Sequence, residues 1–163
     1  MTRVMILMPN RWSKSNPGPA LRTLVPGFTV LGHDGRPLSL AALMGELALL
    51  LAFVNDISLP STIRRAQWLQ SNLPTLRRMG VCVALAVPNQ PHTLHNFYSS
   101  SPAPPDFPLL ADDDRQLRRL FQLNRQAGLV LITRDRRIMA QWAVSEEQTW
   151  PELVAITSVV EAL

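Results

Sequence analysis

A chain of 163 residues, 47% hydrophobic and 17% charged, fits one globular domain and leaves little room for two or for disorder. Its single cysteine, Cys82, excludes an intrachain disulfide and the dithiol pair of an exchange enzyme. The net charge of +4 comes from 16 basic residues, 15 of them Arg, scattered in pairs without the interleaved aromatics of a base-stacking platform, so no specific nucleic-acid partner is expected.

Residues 1–21 are set apart as an N-terminal leader or arm, and 22–163 as the domain proper. Residues 1–8 are apolar but short, and they lack the basic start and small-residue cleavage site of a signal peptide. A first strand or a docked arm is the expectation there. No run of about 18 apolar residues occurs, so no transmembrane segment is expected and the location is read as cytoplasmic. Residues 9–20 (PNRWSKSNPGPA) read as irregular, with Trp12 as an aromatic anchor and the candidate for contact with a partner.

From Pro26 the pattern tightens. Residues 28–31 form a short extended run, Asp34-Gly35 a turn, and Ser39 the N-cap of a short helix that stops at Gly45. Residues 47–54 (LALLLAFV) are an unbroken apolar run of strand length, as in a central parallel strand covered on both faces. A helix follows over about 63–79, capped by Ser61 or Thr62, with Pro74 expected to kink or split it and Gly80 to end it. Val81–Val87 (VCVALAV) is a second apolar strand, which completes a right-handed βαβ unit. A weak helix is predicted over 93–98. Asp112, Asp113 and Asp114 suit the positive end of a helix over 115–121. Strands follow at 129–133 and 138–144. A last helix over 151–163 should bury Leu153, Val154, Ile156, Thr157 and Val160. Solvated helix faces account for most of the Arg pairs: Arg64-Arg65, Arg77-Arg78, Arg118-Arg119 and Arg136-Arg137.

These residues resemble a known family. Val25-Pro26-Gly27-Phe28-Thr29-Val30, with Asp34-Gly35-Arg36-Pro37-Leu38-Ser39-Leu40 and Leu43-Met44-Gly45, is similar to the opening of peroxiredoxins (the alkyl hydroperoxide reductase and thiol-specific antioxidant family). Phe107-Pro108-Leu109-Leu110-Ala111-Asp112, followed by Leu117 and Leu120-Phe121, and the pieces Val130-Leu131-Ile132, Asp135 and Ile138, continue the likeness over about 22–145. The resemblance implies a thioredoxin-like α/β fold, a mixed central sheet with helices on both faces and a peroxiredoxin-type N-terminal extension.

The likeness breaks where the family's chemistry sits. Ser58 and Ser61 stand where a Cys-x-x-Cys pair would be, Pro60 is kept, and Ser61 takes the peroxidatic position. The family's Pro or Arg just before the strand at Val130 is missing; Gly128 and Leu129 fill the nearest places, with Arg125 a few residues early. An engineer exchanging cysteines for serines would have left that Pro or Arg in place. A peroxidatic cysteine works as a thiolate. A serine hydroxyl is a far weaker acid and forms no disulfide or persistent oxidised state. Cys82 near the start of its strand is expected about 15 Å from the site at ~3.3 Å per residue, as a buried small hydrophobe.

Other candidates are weighed the same way. Ser58, Ser61, Thr62, Arg64 and Arg65 at a helix start form a candidate anion site, with plain N-capping as the simpler reading. No G-x-S-x-G pattern supports a serine hydrolase at Ser61. His92 and His95 share a helix face without Cys or carboxylate neighbours, so no metal and no cofactor is called for. His33 beside the Asp34-Gly35 turn is expected to be exposed. The function that follows is a redox-inactive interaction or scaffold module with a protein partner or a second copy of itself. The alternatives are a thiol-dependent peroxidase or oxidoreductase on Cys82 and a small-anion binder.

Overall fold

The computed structural model of the chain describes residues 20–123, 126–145 and 148–163. Residues 1–19 of the leader, with Trp12, and Arg125 therefore lie outside the described residues. The elements in chain order are β1 (Thr29–Gly32), β2 (Pro37–Ser39), α1 (Leu40–Leu43), β3 (Ala48–Phe53), α2 (Pro60–Arg78) and β4 (Val81–Val87). Then come α3 (Pro91–Ser100), β5 (Leu109–Ala111), α4 (Gln116–Leu120), β6 (Ala127–Thr133), β7 (Ile138–Val144) and α5 (Leu153–Glu161).

Seven strands form one sheet in the order β2-β1-β5-β4-β3-β6-β7. β3, β4 and β5 run parallel, while β1, β2, β6 and β7 pair antiparallel. All six residues of β3 are buried, because alternate side chains enter different cores. Leu50, Ala52, Val83 and Leu85 pack with Leu69 and Leu73 of α2 and Ile156 and Val160 of α5. Leu49, Leu51, Phe53, Ala84 and Ala86 pack on the opposite face with Leu40 and Leu43 of α1 and Leu117 of α4. Helices thus cover both faces, and the unbroken apolar runs are the signature of that double burial. At the edge, the backbone of residues 22–25 joins the start of β7: the Arg22 N–H donates to Ile138 at 2.6 Å and that of Val25 to Arg136 at 2.7 Å.

Local signals act as their chemistry requires. Ser39 caps α1, its hydroxyl accepting from the Ala42 N–H at 3.1 Å. Gly80 ends α2 with φ of 82°, in the left-handed region that glycine tolerates best.

Several expectations are corrected. α2 starts at Pro60 with Leu59 as N-cap and no side chain capping it, so neither Ser61 nor Thr62 has the capping role. Proline suits the first turn, where its missing N–H has no helical partner to lose. Pro74 does not split α2, which runs through to Arg78. It sits on the exposed side of the helix, away from the core that Leu69, Leu73 and Leu76 enter. α3 is longer than 93–98. β5 was not foreseen as a strand: three residues leave no periodicity to see. In α5, Val154 is 62% exposed, and Ala155 and Val159 take the buried stripe instead with Ile156 and Val160.

Two of the Arg pairs are not solvated faces, since Arg65 and Arg118 are buried. His33 is half-buried, its ring stacked on Tyr98 with centroids 4.1 Å apart. Cys82 is exposed, not buried. Along β4, β5 reaches only Leu85, Ala86 and Val87, so the amino half of β4 has a strand neighbour on one side. Val81 and Val83 point into the α2 core, and Cys82 points the other way, past the cover that shields Ala84 and Ala86.

Candidate functional site

The sheet places the carboxyl ends of β3 and β4 together, and the chain leaves β3 at Phe53 through residues 54–59 into α2. That turn is held by polar bonds. The Asp56 carboxylate accepts from the Ser58 N–H at 2.9 Å and from the Ser58 hydroxyl at 2.6 Å. Its other oxygen accepts from the Asn89 amide at 3.1 Å, while the Asn89 side-chain oxygen accepts from the Ile57 N–H at 3.0 Å. The Ser58 hydroxyl and amide, with the Asn89 amide, hold the Asp56 carboxyl below its ordinary value, because they bond to the ionised form. Neither Asp56 nor Asn89 was singled out from sequence. An Asp two residues before a Ser at a strand end is the Asx-turn signal that could have found the first.

The five candidate anion residues do not form one cluster. Ser58 is committed to Asp56. Thr62 is fully buried and donates its hydroxyl to the Asn55 carbonyl at 3.2 Å. Arg65 runs under the surface, donating to the carbonyls of Ser145 at 3.2 Å and Gln148 at 2.9 Å, with its guanidinium carbon 5.7 Å from the Trp150 ring centre. Ser61, Arg64 and Arg65 remain together on the wall of a cleft of about 320 Å³, with Trp68 and Trp150.

Below the turn, Arg118 ties the end of β3 to the opposite sheet face. It is 1% exposed, donates to the Val54 carbonyl and, at 2.7 Å, to the Gln126 carbonyl, and its guanidinium lies 5.8 Å from the Phe53 ring centre. Asp112, equally buried, accepts from the N–H groups of Leu117 at 2.9 Å and Arg118 at 3.0 Å. The acidic run thus does serve the start of α4, as its sequence position suggested. Burial draws the Arg118 guanidinium down to about 10 against the pull of Asp112, and burial pushes the Asp112 carboxyl up.

The strand position nearest the missing Pro or Arg is closed. Gly128 pairs with Phe53 and Ala143, and a Cβ there would stand 2.5 Å from the Trp142 carbonyl oxygen and 3.1 Å from Leu123 Cδ2. Cys82 lies at the other end of the strands: it pairs with Leu49, whereas Ala86 pairs with Phe53. Four residues at ~3.3 Å put the thiol about 13 Å along the sheet from the turn. His33, His92 and His95 line one shallow depression. Among the described residues, no three His, Cys, Asp or Glu side chains are grouped to hold a metal ion, and no helix is long and apolar enough to cross a membrane.

A parallel core with antiparallel flanks, helices on both faces and a strand-to-helix turn at the carboxyl end of β3 defines a thioredoxin-like fold of the peroxiredoxin type. The sequence pattern of the AhpC/TSA family matches residues 21–151, and the chain belongs to that family. Among solved structures it is similar to a peroxidoxin, BcpB, of Mycobacterium tuberculosis, at 14% identity and a TM-score of 0.71, covering 86% of this chain and 94% of that one. It is similar also to the reduced 2-Cys peroxiredoxin of Plasmodium vivax, at 13% identity and a TM-score of 0.75, covering 88% and 96%. The bacterioferritin comigratory protein of Xanthomonas campestris matches at 18% identity with a TM-score of 0.67, covering 83% and 88%. At such identities the likeness carries the fold alone. No curated protein matches the chain by sequence.

Proposed function

We propose that this chain is a redox-inactive member of its family that acts by binding a protein partner, as an interaction or scaffold module. One observation carries the reading: a serine, Ser61, stands in the first turn of α2, while the single thiol sits toward the opposite end of the parallel strands. A hydroxyl there supplies neither the thiolate nor the sulfenic acid that peroxide turnover requires. The arm of residues 1–21, with Trp12, is the proposed contact element, and the partner is another protein or a second copy of the chain. A lone thiol left exposed suits a reducing compartment such as the cytoplasm.

The exposure of Cys82 favours a second reading, in which this thiol itself turns over peroxide. A peroxide-consumption assay with dithiothreitol, on the native chain and on Cys82→Ala, separates the two. The binding reading expects both proteins to match the protein-free rate. Catalytic consumption that disappears with Cys82→Ala would replace it by the thiol enzyme. For the partner, light scattering on the full chain and on a chain lacking residues 1–19 is expected to show association that needs the arm. A monomer in both cases, together with no stoichiometric partner in a pull-down from the native host, would overturn the scaffold reading.

A further inference from the structure

The cleft beside Ser61 has walls that a dead redox site does not need. Trp68 of α2 and Trp150, just before α5, meet edge to face with ring centres 5.7 Å apart, giving a flat apolar corner. Trp150 is 8% exposed, and its indole N–H is buried without an acceptor among the described residues. Arg65 underlies the corner and is taken up by backbone carbonyls. Arg64 differs: it is exposed on the same cleft and has no hydrogen-bond or ion-pair partner among the described residues. The described lining therefore offers one uncommitted guanidinium, that of Arg64, and two indoles. Glu146 and Glu147, which precede it in sequence, lie outside the described residues.

We propose that this cleft binds a monocarboxylate with a flat apolar body. The indole corner takes the body, and Arg64 takes the carboxylate, aided by the Ser61 hydroxyl. At about 320 Å³ the space matches the smaller ligand sites of proteins. A guanidinium with free N–H groups suits a carboxylate because two of them align with its two oxygens. The proposal narrows the five-residue anion site expected from sequence to Ser61 and Arg64. It goes beyond the loss of redox chemistry and does not depend on it. The acid is either a free small molecule or the C-terminal residue of a partner chain.

Titration of the full chain with phenylacetate, followed by tryptophan emission and calorimetry, tests it. A ligand of this size is expected to saturate with Kd on the order of 1 mM. Phenylacetamide, and phenylacetate on Arg64→Gln, should each bind about five-fold more weakly or worse, while Cys82→Ala should bind as the native chain does. Arg64 is exposed, so the variant is expected to melt with the native protein; Trp68→Leu gives a second check by removing half the corner. A short peptide ending in a free Phe carboxylate that binds about ten-fold tighter than phenylacetate assigns the source to a partner terminus, and equal or weaker binding assigns it to a free acid. No saturation by about 20 mM, an amide that binds as well as the acid, or an Arg64→Gln variant of unchanged affinity overturns the proposal.

Discussion

Arg118→Met tests whether the buried guanidinium holds the end of β3 in place. The substitution keeps an unbranched side chain of similar length and removes the donors. The buried Val54 carbonyl loses its charged partner, at about 1–3 kcal/mol for an acceptor left unmet, and the part-buried Gln126 carbonyl loses one of its bonds. The contact of the guanidinium with the Phe53 ring adds about 0.5–2 kcal/mol. Against this, an apolar side chain returns the cost of burying a charge, which is several kcal/mol before compensation. Removing Arg118 also leaves the buried Asp112 carboxyl without its counter-charge, and taking one partner from such a pair costs about 3–5 kcal/mol in all. For a chain of this size that lowers Tm by about 10 °C, at roughly 2–4 °C per kcal/mol. Urea unfolding followed by circular dichroism measures it. Arg119→Met is the control: Arg119 is exposed and, among the described residues, its guanidinium reaches only the Asp114 carbonyl, so the loss should stay within about 1 kcal/mol. If Arg118→Met unfolds within about 1 kcal/mol of the native chain, the tether is not what fixes this end of the sheet.

Three further outcomes follow from the site. Cys82 should react with Ellman's reagent in the native state without denaturant, at one thiol per chain; reaction only on unfolding would show it to be covered. The Asp56 carboxyl titrates below its ordinary 3.8 in the folded chain, so the stability it contributes is present above that value and is lost as pH falls through the lower folded value. Asp56→Asn should therefore flatten the acid side of a Tm-against-pH curve, and an unchanged acid limb would refute the assignment. In a Cys82→Ala background, the thiol introduced by Ser61→Cys should titrate below the ~8.5 of a free cysteine, by thiolate absorbance at 240 nm, because the first turn of α2 and Arg64 favour the anion. A value above about 9 would refute that reading of the helix start.

What was legible in the sequence is what repeats along it. The runs in β3 and β4 are apolar at every step because two cores claim alternate residues, and no register change could hide that. Ser39 and Gly80 announce helix ends through chemistry confined to one or two residues. The serines at 58 and 61 stood out because a family pattern demanded sulfur there. The rest depended on neighbours far away in sequence. β5 is a strand only because β1 and β4 flank it. Cys82 looks like its buried neighbours, and only the short reach of β5 along β4 and the limited cover on that face expose it. Arg65 and Arg118 read as surface charge, since nothing local reveals that carbonyls from residues 54, 126, 145 and 148 converge on them. The Trp68–Trp150 corner joins residues 82 apart, so neither tryptophan signals the other.

The distance between Cys82 and the β3–α2 turn has a practical use. A sulfur that is unique, reachable, well away from the Asp56 clamp and turned to the opposite sheet face from the tryptophan corner is a ready attachment point for a reporter dye or a surface linker. Such a label would leave the carboxyl end of the parallel strands undisturbed, so occupancy of the cleft can be followed on the labelled molecule.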